Sequence, residues 1–151
     1  MTHATEAPGA GLALPELRLK PREGRRLSAG HLWVFSNEVD TGRTPLTAFA
    51  PGALCRVVDD RDHFLGYAYV NPHALICARI LGRDARFPPG KPLLVHRLQV
   101  ALALRERLYA RPFYRLVHGE SDGLPGLVLD RHGDVVVGQA GTVGMEAMRA
   151  A

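Results

Sequence analysis

Residues Tyr114–Gln139 read YRLVHGESDGLPGLVLDRHGDVVVGQ. Three stretches in it, Tyr114–His118, Leu127–Arg131 and Asp134–Gln139, have the length and the β-branched content of short strands. The connection GESDGLPG, residues 119–126, holds too many Gly, Pro and turn-forming polar residues to continue a helix or a ladder. His132-Gly133 sits between β-branched runs, where a two-residue hairpin turn needs a glycine free to take positive φ. A β-meander results. Just before it, Leu93–Ala110 is rich in helix formers, with Leu94, Leu98, Ala101, Leu102, Leu108 and Tyr109 on one face. Arg97, Arg105 and Arg107 fall mainly on the polar side and read as solvated; Pro112 ends the helix. Beyond the meander, Gly141–Ala151 has the composition of a helix start.

Toward the N-terminus the chain changes character at DARFPPGKP, residues 84–92, which can continue neither strand nor helix. Upstream, Leu17–Leu19, Gly52–Asp59, Phe64–Val70 and Leu75–Leu81 read as short strands. Asp60-Arg61-Asp62 is a turn, and Pro45 and Pro51 make Thr41–Pro51 a loop. Strands at this spacing imply a small barrel or sandwich. Met1–Pro15, rich in Ala, Gly and Pro without a periodic apolar face, is expected to be a disordered leader. The fold class is therefore α+β.

Of the 151 residues, 46% are hydrophobic and 23% charged, which suits a packed core. The net charge of +4 tilts toward a polyanionic partner, but modestly. Cys55 and Cys77 each lie in an apolar run, away from metal-like His/Cys spacing, and read as reduced buried thiols. The N-terminus lacks the basic and apolar regions of a signal peptide, and no apolar run reaches membrane-spanning length. A cytoplasmic location is the expectation.

The basic segment KPREGRR places Lys20, Arg22, Arg25 and Arg26 within seven residues, with Pro21 and Gly24 expected to keep it out of a regular helix. Such a cluster either tracks phosphate oxygens or is a solvated turn. Next, Leu27–Val39 reads as a short helical turn leading into an extended piece, with His31 beside the chain's single tryptophan, Trp33. Aromatic rings near cations suit stacking on unpaired bases. The competing role for Trp33, Val34 and Phe35, filling the core of the barrel, is the preferred one. Arg79, inside an apolar strand, is a paired structural arginine or a phosphate contact, the former slightly favoured. Gly119-Glu120-Ser121-Asp122-Gly123 matches the G-x-S-x-G pattern, but the helix a nucleophile elbow requires does not follow. Asp122 or Ser121 is expected to satisfy nearby backbone N–H groups instead. Gly138, Gly141 and Gly144 lack the following strand with an acidic residue that a dinucleotide or methyl-donor site needs.

The segment GESDGLPGLVLDRHGD resembles the one preceding the catalytic domain in a bacterial family of class I S-adenosylmethionine-dependent ribosomal-RNA methyltransferases. The basic loop with the following Gly30-His31 and Trp33-Val34-Phe35-Ser36, and the run Gly66–His73 with Ile76–Ile80, resemble the family too. The likeness extends from about Leu17 to the end. It implies an N-terminal PUA domain (an RNA-binding pseudobarrel) over 16–84, a linker at 85–92 and part of a central α/β domain over 93–151. The family methylates C5 of a cytosine in large-subunit RNA, using a Rossmann-like domain and a catalytic cysteine. Neither Cys55 nor Cys77 matches that cysteine's motif, and no catalytic, metal-binding or cofactor-binding residue is assigned here. S-adenosylmethionine belongs to the full-length family, and this chain is expected to bind RNA without binding the donor. The resemblance makes Lys20, Arg22, Arg25, Arg26 and His31 the leading RNA contacts, with Trp33 and Arg79 completing the candidates. The partner implied is large-subunit ribosomal RNA, with homodimerisation an open alternative. Competing readings are a stand-alone RNA-binding module or relic without an enzyme, and an unrelated small barrel that binds proteins.

Overall fold

Five strands curl around one apolar core in the first half of the chain. The structure, a computed structural model, describes residues 13–150. Its elements are β1 (Glu16–Arg18), α1 (Gly24–Ser28), β2 (Trp33–Phe35), β3 (Leu54–Val58), β4 (Phe64–Val70) and β5 (Ile76–Gly82). They are followed by α2 (Lys91–Leu108), β6 (Phe113–His118), β7 (Leu127–His132), β8 (Val135–Ala140) and α3 (Val143–Ala147).

The first sheet has the order β1-β3-β4-β5-β2. β1 runs parallel to β3, and every other pairing is antiparallel. The edges meet beyond β1 and β2, where Leu19 and Val39 form an antiparallel bridge and Lys20 N–H donates to Glu38 O at 2.9 Å. That seam turns an open sheet into a pseudobarrel. Leu17, Leu19, Leu27, Val34, Val39, Val57, Val70 and Cys77 are among the buried side chains filling it. Each large aliphatic group contributes about 1.5–3 kcal/mol by leaving water.

The second sheet is the expected meander, β6-β7-β8. It packs against α2 through Ala101, Tyr114, Leu116 and Val117, with Leu94, Leu98 and Leu102 alongside. The hairpin register pairs His132 with Val135, so the turn is Gly133-Asp134, one residue later than expected. Gly133 takes φ 66° at the first turn position, where glycine is required.

The two sheets meet around Tyr69, which is 2% exposed. Its hydroxyl donates to Pro125 O (3.1 Å) and shares a hydrogen bond with Thr142 Oγ1 (2.8 Å). A Cβ on Gly144, inside α3, would lie 2.0 Å from the Tyr69 ring, so only glycine lets α3 seat there.

Several expectations are corrected. Gly24, expected to keep the basic segment from forming a helix, is the first residue of α1. It is buried, and a Cβ there would stand 3.1 Å from Leu65 Cδ1, so its bareness brings α1 onto β4. α2 starts at Lys91 and takes in Pro92, because the first turn of a helix has no use for a backbone N–H at that position. Leu108 and Tyr109 are exposed and do not join the buried face of α2. Arg97 and Arg105 do not point into solvent: Arg97 donates to Leu81 O (2.9 Å) and Gly123 O (3.0 Å), and Arg105 grips Asp122. Arg107 is exposed. The leader at 1–15 lies mostly outside the described residues, but Pro15 O accepts from Arg56 N–H at 2.9 Å and so extends the β1–β3 pairing.

Candidate nucleic-acid interface

Residues 20–38 wrap the seam of the pseudobarrel and carry most of the candidate contacts. Lys20 is exposed, and its Nζ donates to Asn37 O at 2.8 Å. Arg22 takes φ 71° in the turn before α1, and Arg25 stands on the outer face of that helix. Both are exposed, and neither side chain makes a hydrogen bond or ion pair among the described residues. Arg26 pairs with Glu38 at 2.7 Å and lies over the Phe35 ring, 5.0 Å from its centroid. Glu38 is 6% exposed and also accepts the Phe35 N–H at 2.8 Å, so Arg26 neutralises a buried carboxylate. Of the basic cluster, Arg26 alone is paired with a carboxylate; Arg22 and Arg25 are wholly free among the described residues, and Lys20 keeps its charge while bonding a backbone carbonyl.

The alternation of β2 sends Val34 into the core and its neighbours outward. Trp33, preferred as a core residue, is therefore corrected: it is 40% exposed. Phe35 is half-buried. Arg79 faces Trp33 across the β2–β5 ladder, and its guanidinium sits 5.3 Å from the indole centroid. Both side chains donate to one atom, Glu120 Oε1, each at 2.7 Å. Arg79 is thus a paired arginine, as slightly favoured. Burial opposes charge on Glu120, but the Trp33 N–H and Arg79 outweigh it and hold the carboxyl below the usual range. His31, exposed, stands at the rim of a recess of about 240 Å³ lined by Arg26, His31, Leu32, Trp33 and Glu120.

Glu120 is the site residue that the sequence reading missed. It lies in the single-turn 3-10 helix Gly119–Asp122, 87 positions from Trp33, and no local pattern joins the two. The same turn answers the G-x-S-x-G match: Gly123 leaves it at φ 70° and strand β7 follows soon after, so no helix supports Ser121. Asp122 accepts the His118 N–H at 2.7 Å, as expected of this loop. Cys55 and Cys77 are free and buried; burial pushes them up to about 12 and about 11, so neither is a thiolate at neutral pH. Among the described residues no His/Cys/Asp/Glu group could hold a metal, and no helix is long and apolar enough to cross a membrane.

This curled half-barrel with an exposed cationic seam is a PUA-like domain: the family of that description matches residues 17–83. Over a longer span, the chain is homologous to the N-terminal region of large-subunit ribosomal-RNA methyltransferases. It is 36% identical over 138 residues to Ribosomal RNA large subunit methyltransferase I of Shewanella denitrificans, covering 88% of this chain and 34% of that protein. To the Ribosomal RNA large subunit methyltransferase of Deinococcus radiodurans it is 34% identical over 132 residues, covering 82% and 32%. The chain spans about a third of the length of the curated relatives it matches. Among solved structures, a protein assigned as a methyltransferase and crystallised with SAH shares the fold, with TM-score 0.75 and 16% identity over 91% of this chain and 35% of that one.

Proposed function

We propose that this chain is the RNA-holding N-terminal portion of an S-adenosylmethionine-dependent ribosomal-RNA (cytosine-C5) methyltransferase, without catalytic activity of its own. In this reading residues 16–84 are the RNA-binding unit, 85–92 the link and 93–151 part of a central domain that joins it to a catalytic domain. The observation that carries it is the free pair Arg22 and Arg25 at the seam of a PUA-like unit, in a chain homologous to ribosomal-RNA methyltransferases. Arg26 and His31 border the same surface, and the exposed Lys20 would add to its attraction for phosphate.

The residues present do not fit the methyl donor. Gly138 lies within strand β8, and the space beside Gly144 is filled by the Tyr69 ring, so the glycine-spaced segment forms no cradle for a nucleoside. Isothermal titration of S-adenosylmethionine into this chain is expected to give no binding heat. Saturable binding would overturn the division of labour proposed.

Mutation of the basic cluster must respect its internal pairs. Arg26→Ala would strand the buried Glu38 carboxylate and confound binding with stability. Arg22→Ala/Arg25→Ala removes charge without breaking any pair. The double variant is expected to bind structured ribosomal-RNA fragments roughly tenfold more weakly, and its salt slope is expected to fall by about two phosphate contacts. Unchanged affinity and slope in fluorescence anisotropy would remove this surface from the reading.

A further inference from the structure

We infer that the recess bounded by Arg26, His31, Leu32, Trp33 and Glu120 receives one unpaired nucleobase bearing an exocyclic amino group (cytosine, adenine or guanine) and discriminates against uracil. The inference rests on the RNA-holding reading above and adds base selection to it. Three observations carry it. First, the indole is 40% exposed although Arg79 stacks on it, so part of the ring surface is open at the recess. An exposed indole beside cations is a stacking platform for a base. Second, the recess, at about 240 Å³, has room for a single base but not for a helical stem.

The third observation is the carboxylate. Glu120 Oε1 takes both the Trp33 and the Arg79 donors, whereas Oε2 accepts no hydrogen bond from another residue among those described. The Glu120 side chain is 30% exposed and belongs to the lining of the recess, so its carboxylate keeps acceptor capacity toward solvent there. A carboxylate oxygen selects a donor: the amino group of cytosine, adenine or guanine satisfies it. Uracil offers a carbonyl at the position of cytosine's amino group, and its one Watson–Crick donor, N3–H, lies between two carbonyl oxygens that a carboxylate approaching it repels. The selecting residue comes from the second sheet's loop and the stacking residue from the pseudobarrel, so the site needs both halves of the chain. Arg26 and His31 at the rim offer N–H donors for the flanking phosphates.

Trp33 is the chain's one tryptophan, so emission excited beyond the absorption of the four tyrosines reports this recess alone. The experiment uses the full chain and end-labelled RNA hairpins with one common stem and loops of C, A or U. Binding is followed by label anisotropy and, in parallel, by Trp33 emission. C and A loops are expected to quench Trp33 and to bind roughly tenfold more tightly than the U loop, the worth of one charged hydrogen bond. Glu120→Gln keeps an oxygen for Trp33 and Arg79 but offers an amide donor to uracil, and is expected to bring the three loops within about twofold. Equal binding of all loops by the unmodified chain, or binding without any change in Trp33 emission, would overturn base selection while leaving RNA binding intact. If anisotropy shows no hairpin bound at all, the RNA-holding reading fails and this inference falls with it.

Discussion

Asp122→Ala is expected to cost about 3–5 kcal/mol of stability, the largest effect of any single substitution considered for this chain. Asp122 accepts both guanidinium nitrogens of Arg105, at 2.5 and 2.8 Å, and the His118 N–H at 2.7 Å. The two side chains are only 7% and 13% exposed. Truncating the carboxylate leaves the shielded Arg105 guanidinium with only its Nε–H bond to Arg115 O (3.2 Å) and the His118 N–H without an acceptor, and neither regains much water. The measurement is urea denaturation followed by circular dichroism, where the midpoint should fall steeply. A shift equivalent to less than about 1 kcal/mol would mean that the pair is solvated and the packing of α2 on the loop is misread.

The same group sets an acid limit. Burial opposes charge on Asp122, but the Arg105 bonds and the His118 N–H outweigh it, and the carboxyl lies below its ordinary value. A carboxyl depressed in the folded state stabilises fully above its unfolded value, about 3.9, and loses that contribution as pH falls through the folded value. The unmodified chain should therefore lose stability as pH drops below about 4, and Asp122→Asn should show a flatter slope there from a lower plateau. Parallel slopes would exclude Asp122 as a source of the acid dependence.

Gly144→Ala reverses the sign that helix propensity alone gives. In an exposed helix interior the change gains about 1 kcal/mol. Here the added methyl would stand 2.0 Å from two atoms of the Tyr69 ring, which is almost wholly buried and held by two hydrogen bonds at its hydroxyl. Either α3 lifts away or Tyr69 leaves Pro125 and Thr142, and a net loss of about 2–3 kcal/mol is expected. Gly141→Ala is the control, because its Cβ meets nothing closer than Gly126 O at 3.5 Å. Hydrogen exchange across Val143–Ala147 should accelerate in Gly144→Ala alone. A more stable Gly144→Ala would show that α3 does not rest on Tyr69.

Short-range rules recovered the elements better than their contacts. The β-branched runs with Gly133 between them were enough to place the meander, and Pro88, Pro89 and Gly90 to place the break before α2. Trp33 was misplaced although the evidence was local: in a strand of three apolar residues only the alternate positions share a face, and Val34 took the inward one. Arg97 and Arg105 could not be placed from their own helix. Their partners, Leu81 O, Gly123 O and Asp122, come from loops and strands that reach α2 only in the folded chain. Glu120 was beyond sequence reasoning for the same reason, since packing of one sheet on the other brings it to Trp33.

The strand order has a consequence for synthesis. β2 is made at residues 33–35, but its ladder partner β5 lies at 76–82 and roughly forty residues must be added before the two can pair. At ribosomal rates of about 5–20 residues per second, that is ~2–8 s during which β2 has no ladder partner. Distant pairings of this kind form late, because loop closure must precede the contacts that reward it. The cationic seam, built from residues translated before β5, is among the last surfaces of the pseudobarrel to take shape. Until β5 has left the ribosome, its arginines belong to a flexible polycation rather than to a shaped surface, and any selectivity for RNA arrives only with closure of the barrel.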